Sequence, residues 1–391
     1  MKNHKLTAKQ VRYALPLWVS LLLIVLLLLL PTGFEDAVIY RGTDHCAAKV
    51  IAVNDTAIVD TGLVRSGEQT CKLTLLGGKF KGKQIEGTNL LSGSLASDKI
   101  FSVGDRAMVV VHYQGDTIVS VNMIDHYRID KELLLALLFA GFIILFAGRT
   151  GVRAIVSFVL TVLMIWRVLV PLYLRGAQPV FIGMGIAVVL TVLIISLVYG
   201  FDARALSACT GAVAGLVVTC VLGAMFTDLF QIHGAIMQSA ESLLYSGYRD
   251  LNLTQIFVAS IFIGSSGAVM DLAVDITSAV YEVVQKKPGI DWREATQSGF
   301  HVGRAAMGTM TTTLLLAYSG GYVALLMVFM AQGTPIFNIL NYKYVSAEII
   351  ETMVGSFGLV TVAPLTALAS GILLTRHHSR ANRAAANSQE G

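Results

Sequence analysis

Val180-Phe-Ile-Gly-Met-Gly-Ile-Ala-Val-Val-Leu-Thr-Val-Leu-Ile-Ile-Ser-Leu-Val-Tyr199 carries no charge over the length a helix needs to cross a bilayer, about 20 residues. Backbone groups left unpaired in lipid are costly, so an isolated run of this kind reads as a membrane helix. It belongs to a charge-free stretch over 176–201. Comparable stretches recur at 13–34, 133–148, 205–227, 251–270, 305–342 and 352–375, and an eighth, 154–174, contains only Arg167.

Composition says the same of the whole chain. Of 391 residues 55% are hydrophobic and 14% charged, against about 25% charged in a soluble domain. The net charge of +4 is spread over short loops without interleaved aromatics, which argues against nucleic-acid binding. The basic residues instead report topology. With eight spans and the N-terminus inside, cytoplasmic segments hold Lys2, Lys5, Lys9, Arg12, Arg149, Arg153, Arg204, Lys286, Lys287, Arg293, Arg304, Arg376, Arg380 and Arg383. The short outer loops hold only Arg175, Arg249 and Lys343. Both termini are therefore expected in the cytoplasm of a multi-pass protein of the cell membrane. The first apolar run is too long for a signal-peptide core, and Pro31-Thr-Gly-Phe34 is a poor cleavage site, so it reads as a retained signal anchor.

Residues 35–131 break the membrane pattern. Lys49-Val-Ile-Ala-Val53, Ala57-Ile-Val59, Cys71-Lys-Leu-Thr-Leu75, Ala107-Met-Val-Val-Val-His-Tyr113 and Thr117-Ile-Val-Ser-Val121 are short β-branched runs between turn signals. They predict a small extracytoplasmic β-barrel or sandwich between the first two helices. The expected division is thus a signal-anchor segment (1–34), a β domain (35–131), a seven-helix all-α membrane bundle (132–376) and a basic cytoplasmic tail (377–391). Cys46 and Cys71 fall in the outer domain, where a disulfide can persist; a Cys46–Cys71 bridge and two free thiols are both compatible with the sequence. Gly77-Gly-Lys-Phe-Lys-Gly-Lys83 has the spacing of a phosphate-binding loop, but Gln84 replaces the magnesium-holding hydroxyl and no strand–helix unit follows, so it reads as a basic hairpin.

The two outer connections, 227–253 and 331–349, are long and apolar enough to hold interfacial or re-entrant helices. Gly211 and Gly215 mark a close helix–helix contact.

The span over 254–284 carries the chemistry. Asp271, Asp275, Ser278 and Glu282 recur at i, i+4, i+7 and i+11 and share one helix face. At 1.5 Å per residue Asp271 lies about 22 Å from Lys286 and about 25 Å from Thr254, near the bilayer midplane. A carboxylate there costs roughly 2.5–3.5 kcal/mol on insertion scales and so is expected to face protein or water and to mark an ion or proton path. The structural alternative is that Asp271 and Asp275 cap broken helices or pair with Arg304 or Arg167. Gly264-Ser265-Ser266-Gly267 just before them, and Pro364 in the last span, are expected to unwind or kink their helices around a midplane site. The next span adds Arg304, Thr309, Thr311 and Thr312; the threonines either line the path or bond their own helix. Glu348 and Glu351 stand at the outer end of the last span. No Cys–His pair, metal-spaced cluster, nucleophile elbow or ATP-binding motif is present, so no cofactor, metal site or enzymatic activity is expected. Intramembrane aspartyl proteolysis fails because Gly267-Ala-Val-Met-Asp271 lacks the required second glycine.

At these residues the chain resembles the YibE/F-like family of bacterial multi-span membrane proteins. Gly267-Ala-Val-Met-Asp271 and Gly308-Thr-Met-Thr-Thr-Thr-Leu-Leu-Leu-Ala-Tyr318 carry the likeness, and Gly355-Ser-Phe-Gly-Leu359 and Pro364-Leu-Thr366 extend it. It covers roughly residues 130–375, with a looser match in the outer domain. The family pattern has a small polar residue where Asp275 stands and an Asn where Thr312 stands, which sets those two positions apart. The resemblance implies a fold and a site but no substrate. The residues themselves point to a secondary transporter or permease for a cation or small solute, with Asp271 as the ion or proton site. The alternative is a membrane scaffold or sensor whose β domain meets an envelope protein or ligand. Either reading is compatible with a homo-oligomer in the lipid bilayer.

Overall fold

The computed structural model describes residues 8–34 and 42–387; the N-terminal lysines Lys2 and Lys5 and the expected start of the β domain at 35 lie outside them. The chain divides into two compact units, residues 33–146 and residues 1–32 with 147–391.

In the first unit, β1 (Thr43–Asp60), β2 (Arg65–Leu75), β3 (Gln84–Ser92), β4 (Arg106–Gln114) and β5 (Thr117–His126) close a barrel in the order β1-β2-β3-β5-β4. All pairings are antiparallel except β3 with β5. This is a five-stranded barrel of the OB type. Two register shifts in β1, at Val50/Ala52 and Asn54/Ala57, let one strand serve two neighbours and join the two runs expected separately over 49–59. Alternate residues fill the interior, among them Ala48, Val50, Leu73, Val109, Val111 and Val121.

Two polar side chains are fully buried among them. Gln69 donates to the Phe101 carbonyl (2.9 Å) and Asp55 Oδ1 (2.8 Å) and accepts from the Phe101 N–H (3.0 Å) and Asn89 Nδ2 (3.1 Å). Asn89 also donates to the Lys99 carbonyl (2.6 Å), so the 99–101 segment is stitched to the wall.

The Gly77–Lys83 segment is the turn between β2 and β3. Gly78 takes φ +71° beside the Asp44 carboxylate, which accepts the Lys79 N–H (2.6 Å), and Phe80 plugs the barrel. A backbone N–H that a phosphate would use is already given to a carboxylate.

Cys46 and Cys71 are both buried free thiols. Cys71 lies opposite Val53 in the β1–β2 register, seven residues along β1 from Cys46, so the bridge is not made. Burial, with the nearby Asp55 charge, raises the Cys71 thiol to about 11, and burial beside Asp44 raises Cys46 as well.

The helices are α1 (Ala8–Leu29), α2 (Ile129–Met164), α3 (Val170–Leu174), α4 (Pro179–Tyr199), α5 (Ala203–Leu229), α6 (Ala240–Tyr245), α7 (Leu253–Lys286), α8 (Trp292–Ser319), α9 (Val323–Ala331), α10 (Ile336–Asn341) and α11 (Lys343–Asn387). A π turn, Ile165–Leu169, joins α2 to α3, and a 3₁₀ turn joins α8 to α9. Among the described residues six such stretches are long and apolar enough to cross a membrane, and Tyr13–Leu29 is a shorter apolar one. The two spans expected at 133–149 and 154–174 fall in one helical stretch that breaks at Gly148 (φ 55°, ψ −123°). The two long connections, 227–253 and 331–349, hold the short helices α6 and α10.

In the second unit α7 is central and packs on α4, α5, α8 and α11. Glycines make the seams tight: a Cβ on Gly211 of α5 would lie 2.7 Å from Thr366 Cα of α11, and one on Gly299 of α8 would lie 2.8 Å from Ala367 and 2.9 Å from Val280. The unwinding expected at Gly264–Gly267 does not occur, since α7 is helical throughout, and α11 stays helical through Pro364. Along α1, Arg153 donates to the Tyr13 carbonyl (2.9 Å), Arg167 to that of Leu30 (3.1 Å) and Arg175 to that of Thr32 (2.9 Å).

Candidate functional site: the polar stripe of α7

α7 buries Phe257, Val258, Phe262, Val269, Leu272, Ile276 and Val280 against its neighbours. At 100° per residue, Ser260, Gly264, Gly267, Asp271, Asp275, Ser278 and Glu282 fall within an arc of about 80° on the opposite side. All seven are exposed at the surface of the unit, and none is a large apolar residue. A strip facing lipid is expected to be rich in large apolar residues, and this one carries none.

Its flanks are identifiable. On one side Tyr199 of α4 shares a 2.6 Å hydrogen bond with Ser278 Oγ and donates to the Val274 carbonyl (2.6 Å). On the other, Gly264 leaves room for the tip of Tyr318 of α8, whose hydroxyl would lie 2.8 Å from a Cβ there. Tyr199 of α4 and Tyr318 of α8 thus border the stripe near its two ends. Arg204 closes the Ser278 end, stacked over Tyr281 (4.5 Å) and Tyr199 (5.1 Å) and paired with Asp202 (3.0 Å).

The sequence-derived candidates separate into groups. Asp271, Asp275, Ser278, Glu282 and Gly267 share the stripe. Glu282 pairs with Lys286 (2.7 Å), an exposed i,i+4 contact worth little. Among the described residues Asp271 and Asp275 have no basic partner within 4 Å. The expected pairing with Arg304 is not made, and Arg167 reaches α1 instead. Ser265 and Ser266 point away from the stripe and donate to the Phe262 and Ile263 carbonyls. On α8, Thr309, Thr311 and Thr312 bond the carbonyls of Ala306, Met307 and Gly308, which is the packing alternative; Arg304 is exposed.

Sequence reasoning missed the other end of the stripe. Ser260 and Gly264 continue the same i, i+4, i+7 spacing toward the start of α7, and that spacing was the available signal. There α11 crosses α7, where a Cβ on Gly355 would lie 3.3 Å from Ser265 Cβ, and Glu348 and Glu351 stand on the same stretch of α11, near Tyr318 and Tyr322. Among the described residues no three Cys, His, Asp or Glu side chains form a metal-binding group.

Comparison with known families matches the YibE/F-like protein family over residues 135–376 and the YibE/F family N-terminal domain over residues 40–127. The chain belongs to the YibE/F family. The second match covers the β-barrel, where the sequence motifs alone gave only a loose likeness. The α7 stripe, the Asp271 motif and the α8 threonines all lie within the first. Neither a curated protein nor a solved structure matches the chain.

Proposed function

We propose that this YibE/F family protein is a secondary transporter or permease that moves a cation or small solute across the cytoplasmic membrane along the α7 stripe. The observation that carries the reading is the pair Asp271 and Asp275, exposed without a counter-charge in the middle of a 34-residue apolar helix. A fold that kept two such carboxylates for packing would pair them, because an unpaired charge at this depth is costly. The remaining members of the stripe are small, hydroxylated or acidic, and none is basic, which favours a positively charged or neutral solute.

The same reading places eight spans in the bilayer with both termini in the cytoplasm and the β-barrel outside, following the positive-inside distribution. It assigns no enzymatic activity, cofactor or nucleic-acid partner to the chain. A homo-oligomer and an envelope partner for the barrel are compatible with it.

The test is flux in proteoliposomes under an imposed proton or cation gradient. Asp271→Asn keeps the shape and removes the charge, so it should abolish gradient-driven flux while the protein stays monodisperse. Unchanged flux would refute the assignment. A phenotype lost on deleting residues 42–127 yet retained in Asp271→Asn would favour the scaffold alternative.

A further inference from the structure

We propose that Glu348 and Glu351 of α11, together with Ser260 of α7, Tyr318 of α8 and Thr352 of α11, form a binding site for a hard divalent cation of the calcium or magnesium type. Two carboxylates alone would not make a site; what singles this place out is the set of polar atoms around them. Tyr318 Oη, Glu348 Oε1 and Thr352 Oγ1 are each buried from solvent and have no hydrogen-bond partner among the described residues. Thr352 is 5% exposed.

Its direction follows from its neighbours. Glu348, Thr352 and Gly355 form one stripe of α11, and a Cβ on Gly355 would lie 3.3 Å from Ser265 Cβ and 3.8 Å from Leu314 Cδ1, so the stripe looks into the α7–α8 seam. Tyr318, one turn beyond Leu314 on α8, sits in that seam with its hydroxyl at Gly264. Ser260, which donates to the Phe257 carbonyl (2.7 Å), lies on the side of α7 that Glu351 approaches. Three helices thus bring oxygen-bearing side chains to one crossing.

A buried polar atom left unpaired costs about 1–3 kcal/mol, and three of them from two helices at one crossing are accounted for by a shared ligand. Every donor is oxygen, which selects hard cations over soft ones. The two carboxylates have no basic partner within 4 Å among the described residues, so a charge of two balances them. Hydroxyls supply the ligand count that a third carboxylate would otherwise provide, and water completes the roughly six to eight oxygens that calcium takes.

Naming this cation as the transported species rests on the transport reading; binding does not, and the experiment separates the two. Purified full-length protein in detergent is titrated with calcium chloride and with magnesium chloride by calorimetry. Terbium luminescence excited through tyrosine serves as a second readout, since Tyr318 is itself a ligand. The expected result is one saturable site that Glu351→Gln weakens at least tenfold and that Thr352→Val weakens by severalfold. Thr352→Val keeps the volume and removes only the hydroxyl, so it decides the matter if Glu351→Gln fails to fold. Binding unaffected by Thr352→Val, saturation by sodium alone, or no divalent binding by the folded wild type would each overturn the site. Divalent binding without divalent flux in vesicles would leave the site standing and refute its role in transport.

Discussion

Replacing Asp271 by leucine should make the helical unit more stable while destroying its activity. Asp271 has no ion pair or hydrogen bond among the described residues, and Asp275 lies one turn away on the same face. A carboxylate at the centre of a membrane helix costs about 2.5–3.5 kcal/mol on insertion scales. Because the side chain is exposed at the surface of its unit, about half of that is recoverable, so Asp271→Leu should raise the unfolding free energy by about 1–2 kcal/mol, a factor of roughly 5–30 in the equilibrium constant. The assay is reversible denaturant unfolding in mixed micelles, with flux measured on the same preparation. Leu272→Ala calibrates the scale: the adjacent side chain is fully buried, and its truncation should lose about 2–5 kcal/mol. If Asp271→Leu instead destabilises by 1 kcal/mol or more, the carboxylate holds the bundle together and the functional reading of the stripe fails.

Two further outcomes concern the barrel. Gln69→Leu strands the N–H and carbonyl of Phe101, and at about 1–3 kcal/mol for each buried orphan it should destabilise the barrel by about 2–4 kcal/mol; amide exchange at 99–101 should accelerate most. Asp98 accepts from Ser92, Gly93 and Ser94, and the Ser92 N–H above all holds its carboxyl below the usual carboxylate range. Its contribution is therefore present above an ordinary pKa of about 3.9 and lost as pH falls through the lowered value. Pepsin cleavage near Leu95 should rise as pH drops from about 5 to about 3, relative to an Asp98→Asn variant cut at similar rates throughout.

Hydropathy located every long apolar helix, because a bilayer constraint acts on each segment separately. β3 escaped because Gln84–Ser92 mixes Gly87 and Asn89 into its inward face, and both have tertiary reasons: Gly87 admits Leu73, and Asn89 joins the Gln69 network. Gly264–Gly267 and Pro364 stay within continuous helices for a related reason. Local propensity favours unwinding there, but the packing of α7 and α11 as whole helices on several neighbours outweighs about 1 kcal/mol for a glycine and about 3 kcal/mol for a proline. The Asp271–Glu282 half of the stripe was legible because four polar residues in an apolar helix are visible without a structure. The Glu348–Glu351 end was not, since it depends on α11 crossing α7 at Ser260, and no periodicity within one helix records a crossing.

The three arginines along α1 have a consequence for how that helix is chosen. Arg153, Arg167 and Arg175 grip main-chain carbonyls at Tyr13, Leu30 and Thr32, and a carbonyl is the same whatever residue carries it. Two of the three lie just past the last helical residue, where oxygens have no partner within the helix. The rest of the unit thus measures where α1 ends more than what it is made of. Apart from Ser20 and Leu27, which are buried, and the Tyr13 ring under Arg153, many side chains on α1 face outward and can drift toward other apolar residues, while shortening the helix by a turn would move the Leu30 and Thr32 oxygens out of reach. In an evolving or redesigned chain, length is the trait under the tighter restraint here.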